Sequence, residues 1–214
     1  TAVFTDSDTV SVACIDPSVS IHYTTDGTMP QVSSAKYTGP IAVSQTTHFI
    51  FRPFGADGRK GDAVSTSLVK TTMAEAVGVD GELPPGLRNV WYDYGGNNCA
   101  GIEKAQIKGE YVTDGVVIPR EARENIGLVI TGYIEVPHDG IYSFALYSDD
   151  GSQLIIDDKM VVDSDGMHDI MEVTGQHAMK AGLHATDSSH NGGDLRLTVK
   201  DKHGKKVEVK YWHK

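Results

Sequence analysis

Along most of the chain, apolar residues recur at every second position, the period of an extended strand whose two faces meet different surroundings. The alternation is most regular from Gly127 onward. Leu128, Ile130, Gly132, Ile134 and Val136 share one face, and Pro137–Gly140 supplies the turn that ends the segment. The same pattern predicts strands over Ile141–Tyr147, Gln153–Ile156, Met160–Asp163, Leu195–Lys200 and Lys205–Trp212, separated by the turns Ser148–Ser152, Asp157–Lys159 and His203-Gly204. In the first third of the chain it predicts strands over Thr9–Ile15, Ser20–Thr24, Lys36–Val43 and His48–Pro53. Pro17, Asp26-Gly27 and Asp57-Gly58 punctuate these as turn formers. Three- and four-residue apolar spacing is confined to Thr71–Val79. Short strands with Gly/Asp turns about every ten residues predict an all-β chain of sandwich or barrel type.

The meter breaks between Thr71 and Pro85 and ends in Gly81-Glu-Leu-Pro-Pro-Gly86, a stiff segment typical of domain boundaries. We therefore expect two dissimilar β-sandwiches, residues 1–70 and 84–214, joined by a linker over 71–83. Composition agrees: with 39% hydrophobic and 22% charged residues the chain is globular. Its 214 residues are enough to bury roughly 70% of the unfolded surface without metal or disulfide staples. A formal net charge of −10 repels phosphate backbones and argues against nucleic acid as a partner. No run approaches the ~20 apolar residues that span a bilayer, so membrane insertion is not expected. The sequence starts at Thr1 with neither Met nor a basic-then-apolar leader, and it reads as a piece of something longer whose upstream address is not visible. Cys14 and Cys99 are read as buried thiols, with one long-range bridge as the alternative.

Two stretches carry resemblances. Ile21-His-Tyr-Thr-Thr-Asp-Gly-Thr-Met-Pro30, Ser34-Ala-Lys-Tyr-Thr-Gly-Pro-Ile41 and Phe51-Arg-Pro-Phe-Gly-Ala-Asp-Gly-Arg59 resemble the fibronectin-III-like module at the C-terminus of chitobiase and β-hexosaminidase-type glycosidases. Gly140–Asp158 (Gly-Ile-Tyr-Ser-Phe-Ala-Leu-Tyr-Ser-Asp-Asp-Gly-Ser-Gln-Leu-Ile-Ile-Asp-Asp), Val161–His168, Gly175 and Ala181-Gly-Leu-His184 are similar to the PA-fourteen module. That module is the β-sandwich of the toxin protective antigen, found also in glycosidases and in flocculin-type adhesins. The resemblance departs from the family pattern at Asp187–Gly193, where a Tyr and a hydrophobic residue are usual.

The second resemblance implies a candidate site. In its adhesin branch two adjacent aspartates joined by a cis peptide hold calcium with help from a loop asparagine. Carried over, the metal ligands are Asp149, Asp150 and Asn191, and a glycan would be held by these three with His190. Calcium prefers several hard oxygens, which paired carboxylates provide, and a cis non-proline bond costs about 3–4 kcal/mol. The alternative is that Asp149-Asp150-Gly151 is only a polar turn between strands. Asp163-Ser-Asp-Gly166 lacks the later ligands of a calcium-binding loop and reads as a hairpin turn. The nine histidines show no zinc spacing, and His168 and His184 are read as structural hydrogen-bonders. Trp91, Tyr92 and Tyr94 read as core or interface aromatics, with sugar stacking as the alternative. No nucleophile motif or phosphate loop is present, and the acids sit mostly in Gly-rich turns, so no independent active site is expected.

Together the resemblances imply the noncatalytic C-terminal region of a secreted, periplasmic or cell-surface bacterial glycoside hydrolase of β-N-acetylhexosaminidase type. Its implied partners are a catalytic domain upstream and an N-acetylhexosamine-containing glycan, with calcium as the implied cofactor. The alternatives are a pair of structural spacers without ligand and a calcium-dependent adhesion module.

Overall fold

A computed structural model describes every residue from Thr1 to Lys214 and is all-β apart from one 3₁₀ turn, Ile102–Lys104. It divides into two compact units, Thr1–Thr72 and Met73–Lys214. No helix is long and apolar enough to cross a membrane.

The first unit contains β1 (Ala2–Phe4), β2 (Asp8–Val10), β3 (Ser20–Thr24), β4 (Ala35–Lys36), β5 (Ile41–Val43), β6 (Thr47–Phe54) and β7 (Val64–Lys70). The order β1-β7-β6-β3-β4 makes one sheet, in which β1 runs parallel to β7, and β2 pairs β5 in a second. Their shared core is Phe4, Val10, Val43, Phe49, Phe51 and Leu68. Tyr23 packs on Phe51 at 5.7 Å between ring centroids, and Tyr37 meets the same ring edge-on at 5.9 Å. The Asp26-Gly27 turn is fixed by Asp26 Oδ1, which accepts from Thr28 N at 2.9 Å, with Gly27 at φ 82°. The strand expected over Lys36–Val43 is broken into β4 and β5 because Pro40 has no N–H to continue a ladder. The strand expected over Thr9–Ile15 stops at Val10, because Val12 N donates to the Tyr37 hydroxyl at 3.2 Å and leaves the ladder.

The second unit contains β8 (Leu87–Asp93), β9 (Gln106–Thr113), β10 (Ile126–Val136), β11 (Gly140–Ser148), β12 (Ser152–Ile156), β13 (Lys159–Ser164), β14 (Met171–Met179), β15 (Gly182–Asn191), β16 (Leu195–Asp201) and β17 (Lys210–Trp212). A large sheet follows the order β13-β12-β15-β10-β8-β9, with β17 also pairing β10, and a small sheet follows β14-β11-β16. Between them lie Leu128, Ile130 and Ile134 from β10, Phe144 and Leu146 from β11, and Leu154 and Ile156 from β12. The segment at Ala74–Val77 is hydrogen-bonded to this unit: Ala74 N donates to Ala178 O and Val77 N to Leu183 O, both at 2.8 Å. It is not helical. Both cysteines are free. Cys99 is buried as expected, whereas Cys14 is exposed, because the segment around it pairs with no strand.

A buried polar network ties the two sheets. Asp157, in the left-handed turn after β12, accepts from His184 Nδ1 at 2.7 Å and faces His177 Nε2 at 3.4 Å; His184 Nε2 lies 2.9 Å from Lys180 O. His184 thus has the hydrogen-bonding role expected of it. Burial pushes the pKa of His177 down against the pull of Asp157, and burial does the same to His190.

Three outcomes are expected. A β-carbon on Gly175 of β14 would overlap the carbonyl of Val161 on β13, so Gly175 is what lets the two sheets meet at that edge. Gly175→Ala should lower unfolding stability by about 1–3 kcal/mol, while Gly78→Ala, with open space around it, should leave it unchanged; chemical denaturation reads both. Asp157→Ala should cost about 2 kcal/mol by leaving His184 without its acceptor. The lowered pKa values of His177 and His190 mean that their contribution is whole above the unfolded value of 6.5 and is lost as pH falls below it. Denaturation midpoints should therefore decline on acidification from neutral pH, with a shallower decline in His177→Gln and His190→Gln.

Candidate functional site

Both expected carboxylates sit in the Ser148–Ser152 turn between β11 and β12. Its base is closed by a hydrogen bond of 2.8 Å between the buried hydroxyls of Ser148 and Ser152. The Asp149–Asp150 peptide bond is trans, which corrects the cis geometry that the resemblance implied; the reversal is made instead by Asp150 at φ 64°. Aspartate tolerates this left-handed region better than most side chains because its short polar group bonds locally.

Two other segments grip this turn. Asp149 N donates to Asp194 O at 2.9 Å, and Gly193 N returns a bond to Asp149 O at 3.2 Å. Asp150 N donates to His168 O at 3.3 Å, while Asp150 Oδ1 accepts from His168 N at 3.4 Å. Beneath them Asn191 N donates to Gly151 O at 2.9 Å, and so does His190 Nδ1 at 3.0 Å. The result is a rim made by the 148–152 turn, the 165–168 loop and the 190–194 corner.

The glycines show how tight that rim is. A β-carbon on Gly193 would stand 2.8 Å from Asp149 Oδ2, and one on Gly192, at φ 123°, would meet Asp150 Oδ2 at 3.0 Å. On Gly151 it would meet Asn191 Oδ1 at 2.5 Å and Asp165 Oδ1 at 2.8 Å. Carboxylate and carboxamide oxygens thus crowd a corner that only glycine can occupy. The donor set is all oxygen and suits a hard cation such as calcium by type. No three His, Cys, Asp or Glu side chains converge as a metal cluster anywhere in the chain, so an ion here would depend also on carbonyls, water or ligand hydroxyls.

Beside the corner lies a hollow of about 380 Å³ walled by Tyr94–Asn97, Arg123, Asp150, Asn191 and Gly192-Gly193. Of the expected residues, Asp150 and Asn191 face it, and Asp149 lies behind the corner with its carboxylate over Gly193. His190 is 0% exposed. It props the turn from inside the sandwich, and it touches a ligand only if the turn opens. The Gly192 carbonyl lies near its ring, but Nε2 has no bond of good geometry.

The sequence reading missed the loop that covers Asn191. Asn191 Nδ2 donates to Gly96 O at 3.3 Å, and the Cys99 thiol points at Asn191 Oδ1 at 3.7 Å. Asp165 Oδ1 accepts from Cys99 N at 2.7 Å, locking this loop to the acidic rim. The visible signals were the Gly95-Gly-Asn-Asn run and the Asp163-Ser-Asp-Gly166 turn, but nothing in a linear pattern brings them together. Burial first, and then the Asp165 charge, push the Cys99 thiol far up, so it is an inert packing group. His168 keeps both ring nitrogens on oxygen: Nδ1 on Asp169 O at 2.9 Å and Nε2 on Ser164 O at 3.0 Å. Burial opposes its protonation, but these carbonyls and the charges of Asp150 and Asp149 prevail and raise its pKa. Trp91 and Tyr92 alternate across β8, with Tyr92 buried beside Cys99 and Ile102, while Tyr94 continues the chain into the hollow's wall.

Comparison with known proteins places these features. Residues 2–66 match the chitobiase/beta-hexosaminidase C-terminal domain, and residues 83–213 match the PA14 domain. Neither match is to a catalytic domain. No curated protein matches by sequence. Among solved structures, a PA14 sugar-binding domain from an RTX adhesin is similar with 17% identity and a TM-score of 0.51, over 61% of this chain and 99% of that one. The PA14 domain of the MpAFP antifreeze protein is similar with 17% identity and a TM-score of 0.50, over 64% and 92%. An anti-sigma factor domain-containing protein from Clostridium clariflavum gives 13% identity and a TM-score of 0.50, over 99% of this chain and 81% of that one. At such identities these likenesses speak for the fold. The family match spans the whole of the larger sandwich, and on it the chain belongs to the PA14 domain family.

Proposed function

We propose that the chain is the noncatalytic glycan-binding accessory region of a secreted or periplasmic bacterial glycoside hydrolase, of β-N-acetylhexosaminidase type, and that it binds at the acidic rim of its PA14 sandwich. One observation carries the reading: Asp150 and Asn191 line one open hollow, and the Asp149 carboxylate stands behind it over Gly193. Loops on a rigid sandwich are where specificity is usually placed. The hexosaminidase-type match of residues 2–66 supports the parent enzyme, a catalytic domain upstream and an N-acetylhexosamine-containing glycan as ligand. That the PA14 domain of the RTX adhesin is a sugar-binding one supports a glycan at the PA14 module.

Calcium would be held by the carboxylates of Asp149 and Asp150 and the carboxamide oxygen of Asn191, and when bound it supplies open positions to sugar hydroxyls. The protein's own share is positional. His190 and Asn191 N hold Gly151 O, and Asp165 holds the covering loop through Cys99 N. A second reading, two structural spacers, is favoured by the amide of Asn191, whose atoms already meet Gly96 O and the Cys99 thiol.

A glycan array probed with the whole chain separates the two. With millimolar calcium, N-acetylhexosamine-containing glycans should be retained, and chelation or Asp150→Asn should reduce retention at least tenfold. Calcium at about a hundred times its Kd should also stabilise the chain by about 2.7 kcal/mol. A melting curve indifferent to calcium, with no glycan retained, would establish the spacer reading instead.

A further inference from the structure

The outer face of the large sheet is only half covered. Toward the acidic rim, Val90 and Tyr92 of β8 and Val129 of β10 are packed beneath Cys99 and Ile102, forming a small second core. Beyond them the face opens into a trough of about 560 Å³. One ladder crosses its floor: Arg88, Thr131, Asp187 and Ile155 stand side by side on β8, β10, β15 and β12. Two residues further along, Tyr133 and Ala185 continue the floor, and Asp158 in the turn after β12 forms part of the wall. In line with it, a second hollow of about 390 Å³ is walled by Leu183, Glu135 and Trp212.

Asp187 is the anomaly in this trough. Its carboxylate is half-buried on the open face yet makes no hydrogen bond and no ion pair. Neither cation on the rim serves it. Arg88 lies two strand spacings away, about 10 Å, and is held by Glu110 at 2.9 Å. Lys214 sits over the Tyr133 ring at 5.7 Å. Burial, and then the nearby Glu103, push the pKa of Asp187 up, and no group of the fold favours its ionised form. A half-buried carboxylate without a partner is costly to keep, and a trough is where a ligand can supply that partner.

We infer that this trough is a second ligand site, distinct from the acidic rim, for an oligosaccharide that carries a free protonated amine, with Asp187 as the ammonium-binding residue. The amine supplies charge and donors to Asp187. Thr131 offers a hydroxyl to a sugar oxygen, and Trp212 offers its ring along the line of the two hollows. An N-acetylated sugar of the same length presents a neutral amide there and leaves Asp187 unpaired. The site therefore discriminates by charge, and it needs no calcium.

Titration calorimetry on the whole chain with a glucosamine tetramer, at about pH 6 and with chelator present, tests this. The amine is then protonated, and any calcium-dependent contact is removed. The tetramer should bind. Asp187→Asn should weaken it at least tenfold, and Asp150→Asn should leave it unchanged. The N-acetylated tetramer should bind at least tenfold more weakly than the free amine. Asp187→Asn should melt at or above the parent, since it removes an uncompensated charge; Asp187→Ser serves as the second variant if it does not fold. No binding of the glucosamine tetramer, equal binding of the two tetramers, or binding indifferent to Asp187→Asn would overturn the inference. Equal binding of a tetralysine peptide would also overturn it, by showing a site for cationic peptides. Because chelator is present throughout, failure here leaves the calcium-dependent reading of the acidic rim standing.

Discussion

The larger sandwich depends on a row of polar side chains facing inward from β15. His184, Thr186, Ser188 and His190 alternate into the interior, where residues are ordinarily apolar, and each is answered from β12 or its flanking turns. Ser188 Oγ donates to Gln153 O at 2.8 Å, Thr186 Oγ1 to Ile155 O at 3.4 Å, His190 Nδ1 to Gly151 O at 3.0 Å, and His184 Nδ1 to Asp157 Oδ2 at 2.7 Å. The two strands are thus joined twice, by the backbone ladder and by side chains reaching the neighbouring strand's oxygens. Buried polar groups of this kind cost little when each is satisfied and a great deal when one is not. The register of β12 against β15 is therefore strongly specified.

That register has a functional consequence. The row begins at Asp157 and ends at Gly151, at the foot of the turn that carries Asp149 and Asp150. The acidic turn is held mainly by the same bonds that hold the sheet, and its carboxylates add one contact, from Asp150 Oδ1 to His168 N. The second oxygens of those carboxylates stand over Gly192 and Gly193, and the Asn191 carboxamide oxygen stands over Gly151. The register also explains why His190, expected at the ligand, is found under the turn: it is the last member of the row.

The same row explains where the sequence was legible and where it was not. β10 and β11 were readable because Leu128, Ile130 and Ile134, and Phe144 and Leu146, mark a buried face by hydrophobicity. β15 alternates just as regularly, but its buried face is histidine, threonine and serine, so a hydrophobic pattern passes over it. β9 failed for a related reason: most of its residues are exposed as an edge strand, so no face is marked. In the first unit the Asp26-Gly27 turn and the packing of Tyr23 and Tyr37 could be read locally, whereas the break at Pro40 was read as continuous strand. At the site, Asp149, Asp150 and Asn191 came from a family pattern. The clasp of Asp165 and Cys99 joins residues 66 positions apart, which only the fold reveals.

A crystal structure of the chain grown with calcium and an N-acetylglucosamine disaccharide tests the central claim most directly. The account predicts an ion against the oxygens of Asp149, Asp150 and Asn191, with a sugar hydroxyl bound to it in the hollow beside Gly192-Gly193. A crystal at saturating calcium and sugar that showed neither there, with the rim loops as described, would contradict it.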